Sequence, residues 1–169
     1  MTRPGRWRRL AAVAVICAAL PIVGCRAGAN GPQRDRETSA GRYDLDAAEQ
    51  LGGHTLARHV GRTDDDLRQR LRREPDISAA SSYTDRQTAE RVIGATLQQL
   101  RPRVDSWLAR SGSRPNLALE YAGTPGEIVG RSLRRGDART RPCAGALVVL
   151  RWHPRVNYYV LTSYPECSK

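Results

Sequence analysis

His54 and His59 stand close together ahead of Arg70, and a Thr-x-Tyr pair, Thr162 and Tyr164, lies near the end of the chain. A base, a fixed cation and two hydroxyls are a sufficient kit for cutting RNA without a metal. An imidazole takes the 2′-OH proton, the 2′-oxygen attacks the neighbouring phosphorus, and a guanidinium stabilises the added negative charge. Each residue also has an ordinary reading. A loop histidine caps or is solvated, a helix arginine is a surface charge, and Thr and Tyr are common strand formers. Other chemistries find less support. The three histidines show no HExxH spacing, and no CxxC occurs, so neither a metal nor another cofactor is expected. Asp64, Asp65 and Asp66 suit a helix N-terminus better than a metal. There is no Walker-type phosphate loop and no GxSxG elbow.

These groups can meet only if the elements between them fold back. Tyr43 to Gln50 reads as a short helix ended by Gly52-Gly53, and His54 to Arg62 as a loop. Thr63 is an N-cap ahead of three aspartates, which favour the positive helix end. That helix runs to about Glu74 before Pro75, with Leu67 and Leu71 as its apolar stripe. Arg70, between them, sits at the stripe's edge and can turn into a cleft. Thr84-Asp85-Arg86-Gln87 has the form of a capping box. Ala89, Val92, Ile93, Thr96, Leu97 and Leu100 then repeat at helical spacing. Pro102 interrupts the helix, and Val104, Trp107 and Leu108 continue it to about Ser111-Gly112.

The period then changes. Leu117, Leu119 and Tyr121 alternate as in a half-buried strand. Glu127 to Leu133 is a second strand candidate, and 145–152 with 157–164 forms a hairpin turning at His153 to Val156. Period two puts Thr162 and Tyr164 on one face. Helices followed by antiparallel strands give an α+β fold. Cys143 and Cys167 lie at the open ends of the hairpin, which predicts a disulfide between them.

The first 24 residues have the form of an export signal: Arg3, Arg6, Arg8 and Arg9, then an apolar stretch from Leu10 to Leu20 too short to span a membrane stably. Ile22-Val23-Gly24-Cys25 looks like a lipobox, which implies lipidation of Cys25 and anchoring at the outer face of the plasma membrane; a plain secretory signal is the alternative. Residues 25–43 read as a flexible tether and 44–169 as the domain. Basic residues outnumber acidic ones by 28 to 17, and all but Lys169 are arginine. Taking the four leader arginines from the net charge of +11 leaves +7. That surface attracts polyanions without choosing among nucleic acid, anionic lipid and acidic protein.

The stretch from Gly52 to Asp64, followed by Leu67 and Arg70-Leu71, resembles the opening motif of the bacterial RNase A-like domain, the C-terminal toxin domain of contact-dependent growth-inhibition proteins. Ser82 to Glu90, Val129 to Leu133 with Arg135-Gly136, and Tyr158 to Pro165 are similar to later parts of that domain, in order. The resemblance covers about residues 48–166. It implies an RNase A-like fold and catalysis by His59, Arg70, Thr162 and Tyr164, with His54 as a second acid–base group or a loop-fixing residue. Arg131, Arg134, Arg135 and Arg139 are candidates for phosphate contacts. The expected substrate is RNA, and a cognate immunity protein is an expected partner of a monomer. The alternatives are a non-catalytic envelope lipoprotein that binds polyanions or a protein, and a membrane-surface protein. The last requires a basic amphipathic helix, and the helices here are mixed in charge.

Overall fold

The computed structural model describes residues 41–167 and the short strand Glu37–Thr38. The leader, Cys25 and most of the expected tether lie outside the described residues. The elements run β1 (Glu37–Thr38), β2 (Arg42–Tyr43), α1 (Leu45–Gln50), α2 (Thr55–His59), α3 (Asp64–Arg73), β3 (Ala79–Tyr83), α4 (Arg86–Gln99), α5 (Arg101–Leu108), β4 (Leu117–Tyr121), β5 (Gly130–Arg134), β6 (Arg141–Cys143), β7 (Gly145–His153) and β8 (Asn157–Glu166).

Thr63 closes a capping box with Asp66, and that fixes where α3 begins. On α4 the cap is Asp85, which accepts from the Thr88 amide at 2.7 Å, rather than Thr84. Thr84 is taken up elsewhere: its N–H and hydroxyl both donate to the Val129 carbonyl. Pro102 falls in the first turn of α5, where its missing N–H costs nothing. α5 ends at Leu108, short of the expected Ser111-Gly112. Tyr43 lies in β2 and is buried in the core, where its hydroxyl accepts from the Val160 amide. The folded part therefore reaches back past residue 44.

The strands form two three-stranded antiparallel sheets, β3-β5-β6 and β4-β7-β8. α4 and α5 bury Val92, Ile93, Val104 and Trp107 against Leu119, Val148, Leu150 and Val160 on one face of the second sheet. Each such side chain contributes about 1.5–3 kcal/mol by leaving water. α3 covers the first sheet through a smaller cluster, Leu67 and Leu71 on Ala80 and Leu133. The sheets join where the Tyr83 hydroxyl meets Ser163 Oγ at 2.6 Å. The expected Cys143–Cys167 disulfide is present and ties the end of β6 to the residue after β8.

Two strands of the three-stranded sheets lack a sequence signal. β3 is Ala-Ala-Ser-Ser-Tyr, covered on both faces and so not alternating. β6 is three residues with a central proline. The helix at Thr55–His59 replaces an expected loop. Glu127, expected in a strand, instead accepts hydrogen bonds from Tyr121 and the Thr124 amide in the turn before β5.

Candidate active site

β8 carries an irregularity that decides which side chains reach the site. Val149 pairs with Thr162, but Leu150 pairs with Val160, so Leu161 is a bulge with no partner opposite. Before the bulge, Tyr158 and Val160 face the core with Leu150; after it, Ser163 takes the core side opposite Val148. Thr162 and Tyr164 thereby turn to the other face. The outer edge of β8 is covered from the other end of the chain. The His54 amide donates to the Leu161 carbonyl at 3.0 Å, and the Ser163 amide donates to Thr55 Oγ1 at 2.9 Å. This docking needs Gly53, since a Cβ there would meet the Val160 carbonyl at 2.7 Å.

With α2 anchored on β8, His59 at its last turn falls beside β3. Its Nδ1 lies 3.1 Å from the Ser81 carbonyl, on the outer edge of the sheet. A carbonyl can only accept, so Nδ1 carries the proton and Nε2 keeps its lone pair. Arg70 Nη1 lies 3.5 Å from that Nε2. The His59 ring is tilted against Tyr164, with centroids 5.3 Å apart. His59 is buried, and burial first, then the Arg70 charge, lowers its pKa to about 3. The imidazole is therefore neutral at any ordinary pH. Arg70 is oriented by Glu74, which accepts from its Nε at 3.3 Å.

Around them lies an open cleft of about 1020 Å³. His54, His59, Arg70, Thr162 and Tyr164 all line it, so the structure brings the catalytic candidates together. Burial lowers the pKa of His54, and the nearby arginines lower it further. Burial and then Glu166 raise that of Tyr164, which keeps its hydroxyl protonated. Thr162 Oγ1 is buried and makes no hydrogen bond among the described residues. A hydroxyl in that position gains from a ligand that bonds to it.

The arginines divide. Arg134 and Arg135 line the cleft. Arg131 does not: it donates to Asp64 Oδ1 and to the Arg62 carbonyl, both at 2.6 Å, and so locks the start of α3 onto β5. Alternation along β5 explains this. Arg131 shares the α3 side with Leu133, while Ser132 and Arg134 face the cleft. Arg139 is exposed and does not line the cleft either. The lining residues without a sequence signal include Ser81, whose carbonyl sets the His59 tautomer, with Ser132, Arg141 and Glu166. Ser81 sits on a strand without periodicity, and the others carry no local signal. Among the described residues, no group of three or more His, Cys, Asp or Glu is placed to hold a metal ion.

Helices packed on two antiparallel sheets, with a neutral histidine, an arginine and two hydroxyls in one basic cleft, define an α+β domain with the groups of a nuclease site. The chain belongs to the family of bacterial CdiA-CT RNAse A domains, which matches residues 53–165. It is also similar to a chain of the CdiA-CT/CdiI complex from Y. kristensenii, with 30% identity and a TM-score of 0.60. That match covers 68% of this chain and 99% of the other. No curated protein sequence matches it. The protein is thus a ribonuclease domain of the toxin class.

Proposed function

We propose that the domain cuts RNA internally, by attack of a 2′-oxygen on the adjacent phosphorus. His59 Nε2 takes the 2′-OH proton. Arg70, already beside that nitrogen, binds the phosphate as negative charge builds on it. The Thr162 hydroxyl donates to a phosphoryl oxygen. Tyr164 donates its proton to the departing 5′-oxygen, and His59 returns the proton to Tyr164, its ring neighbour. Arg134 and Arg135 hold the flanking backbone. The observation that carries this reading is the fixed tautomer of His59: a neutral ring with its basic nitrogen on the side of Arg70.

The first test is the product. Purified protein should leave ends bearing a 2′,3′-cyclic phosphate and a free 5′-hydroxyl, in EDTA as in its absence, and should leave DNA intact. Cleavage of DNA, or ends bearing a 5′-phosphate, would rule out 2′-oxygen attack. We further propose a cognate immunity protein as partner, by likeness to the CdiA-CT/CdiI complex. Export with lipidation at Cys25 completes the reading; mass measurement of the mature N-terminus tests it.

A further inference from the structure

Most arginines around the cleft already have a partner within the protein. Arg70 is held by Glu74, Arg131 by Asp64, Arg141 by Asp137, and Arg135 by the carbonyls of Glu74 and Ile77. Two nearby ones are not. Among the described residues, the side chains of Arg134 and Arg151 make no hydrogen bond or ion pair. Arg134 is on the cleft wall contributed by β5. Arg151 is on the other sheet and outside the cleft.

The register of β7 places it. Ala146, Val148 and Leu150 face the core, so Leu147, Val149 and Arg151 share the opposite face. On that face Leu147 lies opposite Tyr164 and Val149 opposite Thr162. Arg151 follows two residues on, about 7 Å farther along the strand. It is exposed, while Leu147 and Val149 are half-buried and form an apolar floor between it and the two hydroxyls. Arg151 also adds to the positive field at His54, which lines the cleft at this end. A free cation beyond an apolar floor, continuous with the catalytic hydroxyls, suits a nucleotide whose base or ribose covers the floor and whose phosphate reaches the cation.

We propose that Arg151 is a phosphate subsite outside the cleft, so that an RNA strand crosses the catalytic groups and continues over the β7–β8 face. This rests on the ribonuclease reading. It makes the enzyme favour chains longer than a dinucleotide.

The test compares Arg151→Gln with wild type on a dinucleotide and on an oligonucleotide. The variant should raise KM for the oligonucleotide about fivefold at unchanged kcat and leave dinucleotide cleavage unchanged. The salt slope of binding to the matching 2′-deoxy strand should fall by about 0.7. Arg103→Gln, on α5 across the core, should change none of these. An unchanged KM and salt slope would overturn the proposal. So would an equal loss in Arg103→Gln, which would mark an effect of net charge, or an equal loss on the dinucleotide, which would put Arg151 in the cleft. If wild type cuts neither substrate, the ribonuclease reading fails. The salt slope on the 2′-deoxy strand then still supports the subsite if it drops and overturns it if it does not.

Discussion

A histidine held neutral by burial makes a measurable demand on stability. In the unfolded chain His59 takes up a proton below its ordinary pKa of 6.5; in the fold it does so only near 3. Between those values the unfolded state binds more protons, so stability rises with pH and is lost as pH falls. The slope for this one group approaches about 1.4 kcal/mol per pH unit within the window. Thermal unfolding followed from pH 7 to pH 4 should therefore show Tm falling, and His59→Gln should flatten the fall. An identical pH dependence in the variant would mean that His59 titrates normally and is not buried as described. The residue scale was also the most legible in sequence. Residue type and the resemblance single out His59, Arg70, Thr162 and Tyr164, and all line one cleft. The turn of Arg131 toward Asp64 had no sequence signal, because charge alone does not say which face of a strand a residue takes.

At the scale of elements, short-range chemistry was readable and inversion was not. The Thr63 cap and the apolar stripe of α4 followed from local pattern. Period two put Thr162 and Tyr164 on the same face, but the Leu161 bulge, which turns that face away from the core, leaves no mark in the residues. β3 was invisible because both its faces are covered. The Arg131–Asp64 contact gives a prediction at this scale. Arg131→Ala should lower stability by about 1 kcal/mol, since its ion pair is partly exposed and screened while its bond to the Arg62 carbonyl is lost as well. Affinity for RNA should stay within twofold of wild type, a limit of about 0.4 kcal/mol. Urea unfolding and a binding titration check both. Weakened RNA binding at unchanged stability would return Arg131 to the substrate-contacting set.

For the whole molecule, the cleft exists because two sheets are held against each other. The Tyr83–Ser163 hydrogen bond joins them within the core, and the Cys143–Cys167 bridge joins them at the cleft rim. Closing a loop of 24 residues' separation restricts the unfolded chain by about 3.5 kcal/mol. Replacing both cysteines by serine should cost about that much, read as a lower urea midpoint with a steeper slope, since the unfolded chain is then less compact. No change in midpoint would show that the bridge does not form in solution. The hairpin geometry foretold this bond, but the pairing of sheets around it could not be read, since β6 is too short and β3 too even to announce themselves.

The proposed phosphodiester cleavage depends on one imidazole acting as its base. The most direct measurement is digestion of single-stranded RNA in EDTA by wild type and His59→Ala, each checked for its fold by circular dichroism. Wild type should degrade the RNA, and the variant should lose at least about a hundredfold of that activity with its spectrum unchanged. Comparable activity in a correctly folded His59→Ala would contradict the mechanism.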